Sequence, residues 1–351
     1  MKKKKIIHLL QSNKYSGAES VVCQIIESMN VYSTAYEMIY VSPYGPIQNV
    51  LKKKKIAYFV LNRFSQKEID RAIKELNPDI IHAHDFNASV RVAKYKDKII
   101  ISHLHNNPLW FSKLDYRTVI YTLCLNSYKK IIGVSESVKK EYLFSKLIDK
   151  KFVLLPNVVD REKIIRMSKE QNDLSSDLLY VGRLSKEKDP LSFLKIIQKL
   201  VVDNKDVKAI MIGEGELYNE CKNFIDRNSL QDNVNMLGFV ENPYKYMKKT
   251  KLLVMTSVYE GFGLVAVEAM SLGVPVICRP VGGLVDIVNN DRGAFCKTID
   301  EFTTTLQNLL SNNSEIIIRK DNAIKKSIQF CDLTKYRLVL QSLYNDTKKS
   351  S

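Results

Sequence analysis

The sequence predicts an α/β fold: two Rossmann-like, doubly wound parallel-sheet domains facing a cleft. Three observations predict it. Short apolar runs alternate with longer amphipathic stretches along the whole chain. The same layout occurs twice, with no sequence repeat between the halves. The length, 351 residues, suits about two domains.

In the first half, strands are expected at Lys5–Leu10, Met38–Val41, Ala57–Leu61, Asp79–Ala83, Ile99–Ser102 and Ile131–Val134. Helices are expected at Ala18–Met29, Gln66–Leu76, Asp115–Lys129 and Glu136–Ser145. The stretch L-L-P-N-V-V-D, Leu154–Asp160, reads as a junction, its proline following a short strand. The second half offers strands at Leu178–Val181, Lys208–Ile212, Val234–Leu237, Leu252–Met255, Val274–Ile277 and Gly293–Phe295. Its helices are Pro190–Val202, Glu216–Arg227, Gly263–Leu272 and Asp300–Leu310. The domains are thus residues 1–155 and 156–333, and a final helical stretch (Thr334–Tyr344, within 334–351) is expected to return to the first. Sheets of this kind bind ligands beyond the carboxyl ends of their strands.

Composition narrows the classes. No apolar run reaches the roughly 18 residues of a membrane span. The lysines Lys2 to Lys5 lead into too short an apolar run for an export signal and read as the start of a first strand. Six scattered cysteines lack metal-ligand spacing and suit a reducing, cytoplasmic setting. The net charge of +16 is uneven. Residues 1–155 hold 26 Lys+Arg and 13 Asp+Glu, so +13; residues 156–351 hold 28 and 25, so +3. A basic first half attracts anionic lipid headgroups, phosphorylated acceptors or nucleic acid. Without aromatic-interleaved basic modules, nucleic acid is the poorest fit of the three. Within this half, Lys52–Lys55 can equally be read as closing a helix.

The most informative segment is E-G-F-G-L-V-A-V-E-A-M, Glu260 to Met270, lying between two strand candidates. It is a strand-to-helix turn. Gly261 and Gly263 let backbone approach a ligand, and the free amides of a helix start suit a diphosphate. Glu268, among Val265, Ala266, Val267, Ala269 and Met270, is costly to bury without partners. Sugar hydroxyls are fitting ones, because a carboxylate accepts and hydroxyls donate. The bland alternative is one capping and one surface glutamate. After another strand, V-G-R-L-S-K-E-K-D-P supplies Arg183 and Lys188 for phosphate, with Lys186 a bystander. In I-G-E-G-E-L, Gly213 and Gly215 are expected to bring backbone near a donor.

These segments, with P-N-V-V-D and L-G-F-V in their spacing, resemble the large glycosyltransferase family numbered four, retaining enzymes of GT-B fold. The resemblance covers essentially the whole chain, most strongly residues 153–295. It implies that Arg183 and Lys188 hold the donor diphosphate, Glu260 the sugar hydroxyls and Glu268 the ribose. Backbone amides at Phe262, Gly263, Leu264 and Val265 complete the pocket. Relatives carry G-G-A-E after the first strand; here Y-S-G-A-E puts Ser16 beside Gly17 as the acceptor or phosphate loop. The family's active-site histidine falls on His105, with His103 as the other choice in I-S-H-L-H. His82 and His84 read as structural. Asp286 stands near where relatives carry a glutamate after Gly282-Gly283.

The resemblance therefore implies a transferase that moves a sugar from a nucleotide donor, UDP-sugar favoured over GDP-sugar, with retention. No cofactor is required, and no metal: two cations and a helix end serve the phosphates, and no D-x-D occurs. The acceptor is expected to be lipid-linked or another anionic glycan, in bacterial surface polysaccharide synthesis. Trp110 and Phe111 beside Lys113, Tyr116 and Arg117 are expected to touch an anionic membrane surface peripherally. The alternatives are a GT-B epimerase or phosphorylase, and a non-catalytic protein that binds sugar nucleotide or nucleic acid.

Overall fold

The computed structural model describes residues 3–346; Lys2 and the stretch 347–351 of the expected 334–351 segment lie outside them. The chain forms two units, Met1–Asn157 with Leu333–Ser351, and Val158–Asp332.

The first unit holds a parallel sheet of seven strands. These are β1 (Lys4–Leu9), β2 (Tyr36–Pro43), β3 (Tyr58–Leu61), β4 (Ile80–His84), β5 (Ile99–Leu104), β6 (Lys130–Gly133) and β7 (Phe152–Leu154). Their order is β3-β2-β1-β4-β5-β6-β7. Strands covered on both faces need apolar runs, and β1, β4 and β5 contain them: Ile6-Ile7, Ile80-Ile81 and Ile99-Ile100-Ile101. The second unit repeats the plan with β8 (Ser176–Val181), β9 (Ala209–Ile212), β10 (Val234–Gly238), β11 (Thr250–Met255), β12 (Val276–Cys278) and β13 (Gly293–Phe295). Their order is β10-β9-β8-β11-β12-β13, again parallel. Each sheet reverses its direction of growth once, between β1 and β4 in the first and between β8 and β11 in the second. Ligands of such sheets bind at these switch points.

Helix starts follow local chemistry. Ser65 caps the helix Gln66–Leu76 by accepting from Glu68 N. Asp189, in left-handed conformation (φ 47°), caps Pro190–Asp203, and Pro190 occupies the first turn. Some expected helices are shorter. Asp115–Lys129 is a helix only over Tyr116–Leu123, then a 3-10 turn at Leu125–Ser127. Glu136–Ser145 ends at Lys140. Helices at Asp85–Val92, Arg161–Ser168, Tyr244–Met247 and Asn313–Ser327 were not expected. The last helix, Leu333–Asn345, belongs to the first unit, where Tyr344 is fully buried.

Candidate functional site

At the second unit's switch point, two loops are tied together. The loop after β8 carries Arg183 and Lys188; the loop after β11 carries Glu260. Lys188 Nζ donates to Glu260 Oε2 at 2.5 Å, and Ser257 Oγ reaches the same oxygen at 3.4 Å. Both members of the pair are largely covered, at 22% and 12% side-chain exposure. Arg183, 61% exposed, pairs with Glu187 at 2.9 Å. The cations expected to hold phosphate thus rest on carboxylates of the same site.

A second set of contacts, invisible in the sequence, fixes these loops. Asp189 Oδ2 accepts from Arg279 Nη1 at 2.8 Å and from Ser192 Oγ at 2.7 Å. Thr256 Oγ1 donates to Asp189 O at 2.7 Å, and Val258 N to Glu187 O at 2.8 Å. Arg279 also bonds Thr256 O. Asp189, directly before Pro190 in the R-L-S-K-E-K-D-P run, was not singled out in the sequence; it also caps the helix that follows.

The glycines turn out to accommodate protein backbone first. A Cβ on Gly213 (φ 145°) would lie 1.8 Å from Gly182 O, and one on Gly215 2.3 Å from Leu184 O. Gly282 (φ 52°) would place a Cβ 1.5 Å from Glu260 O. So Gly213 and Gly215 press the loop after β9 against the loop after β8, and Gly282 supports Glu260 from behind.

Gly263 (φ 98°, ψ 49°) turns the chain into the helix Leu264–Ser271. Ala266 N is the first helix amide to reach a carbonyl, Gly263 O at 3.0 Å. The amides of Leu264 and Val265 precede it in the first turn, where a helix presents N–H groups and its positive end. The ring of Phe262 is buried edge-on against Phe330, which leaves only its backbone for a ligand to reach.

Glu268 is half-buried, and its surroundings are less uniformly apolar than the sequence implies. Tyr244 Oη donates to Glu268 Oε1 at 3.0 Å. Burial raises its carboxyl to about 7, opposed by Tyr244 and by the charge of Lys163. Both partners sit on unexpected helices. Asp286 is exposed on the short helix Leu284–Ile287.

At the first unit's switch point, Ser16 ends the turn before the helix Gly17–Tyr32, and its hydroxyl donates to Glu19 Oε2 at 2.5 Å. A Cβ on Gly17 would meet no atom within 4 Å. His105 is buried; its backbone N–H donates to Asp85 Oδ1 at 2.8 Å. His82 and His84, read as structural, and His103, the other choice for the active-site histidine, form one buried cluster with His8 and His105. Phe111 is corrected too. It is core, stacked on Tyr142, and cannot reach a membrane, whereas Trp110 lies under Arg117.

Two family models match the chain: glycosyl transferases group 1 over residues 161–329, and glycosyltransferase family 4 over residues 35–163. The uncharacterized glycosyltransferase MJ1059 of Methanocaldococcus jannaschii is 27% identical over 71% of this chain and 70% of its own. The UDP-Gal:alpha-D-GlcNAc-diphosphoundecaprenol alpha-1,3-galactosyltransferase of Escherichia coli is 23% identical over 97% of both chains. Among solved structures, Anabaena HepE in complex with UDP and glucose superposes with a TM-score of 0.84, at 18% identity, over 98% of this chain and 100% of that one.

Proposed function

From the premise that the chain belongs to the group 1 and family 4 glycosyltransferases, of GT-B fold, we propose that it transfers a sugar with retention from a UDP-sugar to a lipid-linked acceptor. The observation that carries the reading is the Lys188–Glu260 pair at the second unit's switch point, beside the helix start at Gly263. Arrival of a donor would separate the pair. Lys188, with Arg183 and the amides of Leu264 and Val265, would take the diphosphate, and Glu260 would accept from the sugar hydroxyls. Glu268 would accept from the ribose. As the glycosidic bond breaks, its electrons pass to the diphosphate, whose oxygen takes the acceptor's proton on the same face of the sugar. The protein stabilises the departing charge with fixed donors. Support for UDP comes from the HepE complex, and for a lipid diphosphate acceptor from the E. coli relative's named substrate.

The first unit supports acceptor delivery at an anionic bilayer surface. The helix Tyr116–Leu123 exposes Tyr116, Val119, Ile120 and Leu123, spaced i, i+3, i+4, i+7. Leu114 and Leu109 extend that apolar face, and Lys113 borders it. No helix among the described residues is long and apolar enough to cross a membrane. An apolar stripe edged by cations lies in the headgroup layer.

Calorimetry with UDP- and GDP-sugars, without added metal, on wild type and Glu268→Ala tests the donor reading. Binding of one donor class, lost in the variant, is expected; no binding by folded wild type would sink it. Donor turnover without any acceptor would favour an epimerase or phosphorylase instead. For the surface, co-sedimentation with anionic vesicles is expected, weakened by Leu123→Glu and by salt; equal recovery with neutral vesicles refutes the charge component.

A further inference from the structure

All five histidines of the chain meet on one face of the first sheet. The reason is periodicity. H-A-H in β4 and H-L-H at the end of β5 place His82 and His84, and His103 and His105, on a common face, because strands alternate sides. The register sets His84 beside His103 and His8 of β1 beside His82. Three neighbouring strands thus present imidazoles to one space.

We propose that His84, His103 and His105 bind one divalent transition-metal ion of borderline softness, such as zinc, cobalt or nickel. One ring nitrogen from each lies within 4.8 Å of the others. Zinc–imidazole bonds of about 2.0–2.1 Å in tetrahedral geometry place ligand nitrogens roughly 3.3 Å apart. Small ring rotations span that difference, and His84 Nδ1 and His105 Nε2 are already 2.9 Å apart. A set made only of imidazoles suits these metals and not magnesium or calcium.

The protein's own hydrogen bonds leave the cluster incomplete. His84 Nε2 pairs with His8 Nδ1 at 3.0 Å, and His82 bridges His103 Nδ1 at 3.2 Å and Tyr344 Oη at 2.9 Å. Each neutral ring has one donor and one acceptor, so a row of them ends in an unused nitrogen unless another group caps it, as Tyr344 does at His82. Here His103 Nε2 and His105 Nδ1, both buried, have no partner, nor has His8 Nε2. Such groups are rare without an ion, water or redox role to account for them.

Two features favour this trio over His8, His82 and His84. His105 is 6% exposed, against 0–2% for the other four, so this end offers an ion its path. The carboxylates available to balance a dication stand here too. Buried Glu19 acts electrostatically on His105, and Asp85 holds the His105 backbone N–H.

The test uses the full, tag-free chain, stripped with chelator, loaded with Zn²⁺ and gel-filtered before elemental analysis. Co²⁺ gives an independent optical readout through its ligand-field bands. One ion per chain is expected, lost in His103→Gln and His105→Gln and kept in His8→Gln. Glu19→Gln should weaken affinity about 10–100-fold, as loss of an outer partner does. Circular dichroism checks folding. If His103→Gln does not fold, the wild-type stoichiometry and His105→Gln decide. Folded wild type that retains no zinc and shows no cobalt bands overturns the proposal. So does loss of the ion in His8→Gln with retention in His105→Gln.

Discussion

The two units share a topology and differ in what they place at its reversal. Between β8 and β11 the second unit sets glycine-rich loops, a lysine–glutamate pair and a helix start. From β1 across β4 to β5 the first unit sets a buried row of imidazoles, and a short Ser16–Gly17 turn follows β1. One arrangement is charged, made of backbone and side chains that a ligand can displace. The other is neutral and packed. The same parallel sheet therefore fixes where a site lies and leaves its chemistry to the residues at the strand ends.

Acid should separate the units most strongly. In an unfolded chain imidazole takes up a proton near pH 6.5. Desolvation lowers His8 to about 3 and His105 to about 4, and holds His82, His84 and His103 well below the ordinary value. Below pH 6.5 the unfolded state then binds more protons than the folded one. Stability is full above that pH and falls as pH drops towards 4, by up to roughly 1.4 kcal/mol per pH unit for each histidine. All five shifts run in the same direction, so the cluster concentrates acid lability in the first unit. The second unit contains no histidine. The only tryptophan, Trp110, lies in the first unit and reports on it alone. On chelator-treated protein, Trp110 emission should show unfolding between pH 6.5 and 4 while much of the far-ultraviolet dichroism persists. A Trp110 signal flat to pH 4 would break the comparison.

Next in size is the catalytic contrast. Lys188→Ala should lower kcat by about 10²–10³, as loss of a fixed donor to a developing charge does, with little effect on folding. Arg183→Ala should cost less, because that side chain is mostly solvated. Steady-state rates with a donor identified by calorimetry check the order. Equal losses would mean that Arg183 becomes as enclosed as Lys188 when donor binds.

The glycines sharpen the comparison through stability. Gly282→Ala puts a methyl against Glu260 O at a positive φ, and should destabilise the second unit by about 1–3 kcal/mol or more. Gly17→Ala enters open space at the start of a helix and should be neutral or slightly stabilising. Thermal unfolding of both variants measures this. A destabilised Gly17→Ala would show that the first unit's turn is as tightly packed as the second's.

Most of this architecture was legible because buried parallel strands, even short ones, announce themselves as apolar runs. β13, Gly293–Phe295, and the helix Gln66–Leu76 lie where the pattern put them. The short helices were not legible, for physical reasons. Asp85–Val92 begins on a residue at φ 66° and has no capping signature, so its sequence reads as loop. Asn313–Ser327 exposes Ile317 and Ile318, which blurs its periodicity. The glutamates and cations stood in the motif, but their pairing did not, since Lys188 and Glu260 are 72 residues apart. The histidine cluster was half visible as H-A-H and H-L-H; register alone brings the two together, and His8 with them.

Glu268 gives the smallest effect and the finest test, because burial alone does not say whether it works as an acid or an acceptor. With its carboxyl at about 7, roughly one-tenth is ionised at pH 6 and nine-tenths at pH 8. If the ionised form accepts from ribose hydroxyls, donor affinity must rise roughly tenfold across that interval and level off above it. The diphosphate of a sugar nucleotide is a diester without a group titrating there, so the intact donor is the right probe; a free diphosphate's terminal phosphate would confuse the reading. Glu268→Gln should bind more weakly and without pH dependence. Tyr244→Phe removes the hydrogen bond that favours the carboxylate, and should move the midpoint above 7 while keeping the amplitude. Affinity that is flat with pH in the wild type would mean that the carboxylate does not touch the donor. Affinity that falls with pH would mean that the neutral acid donates to it.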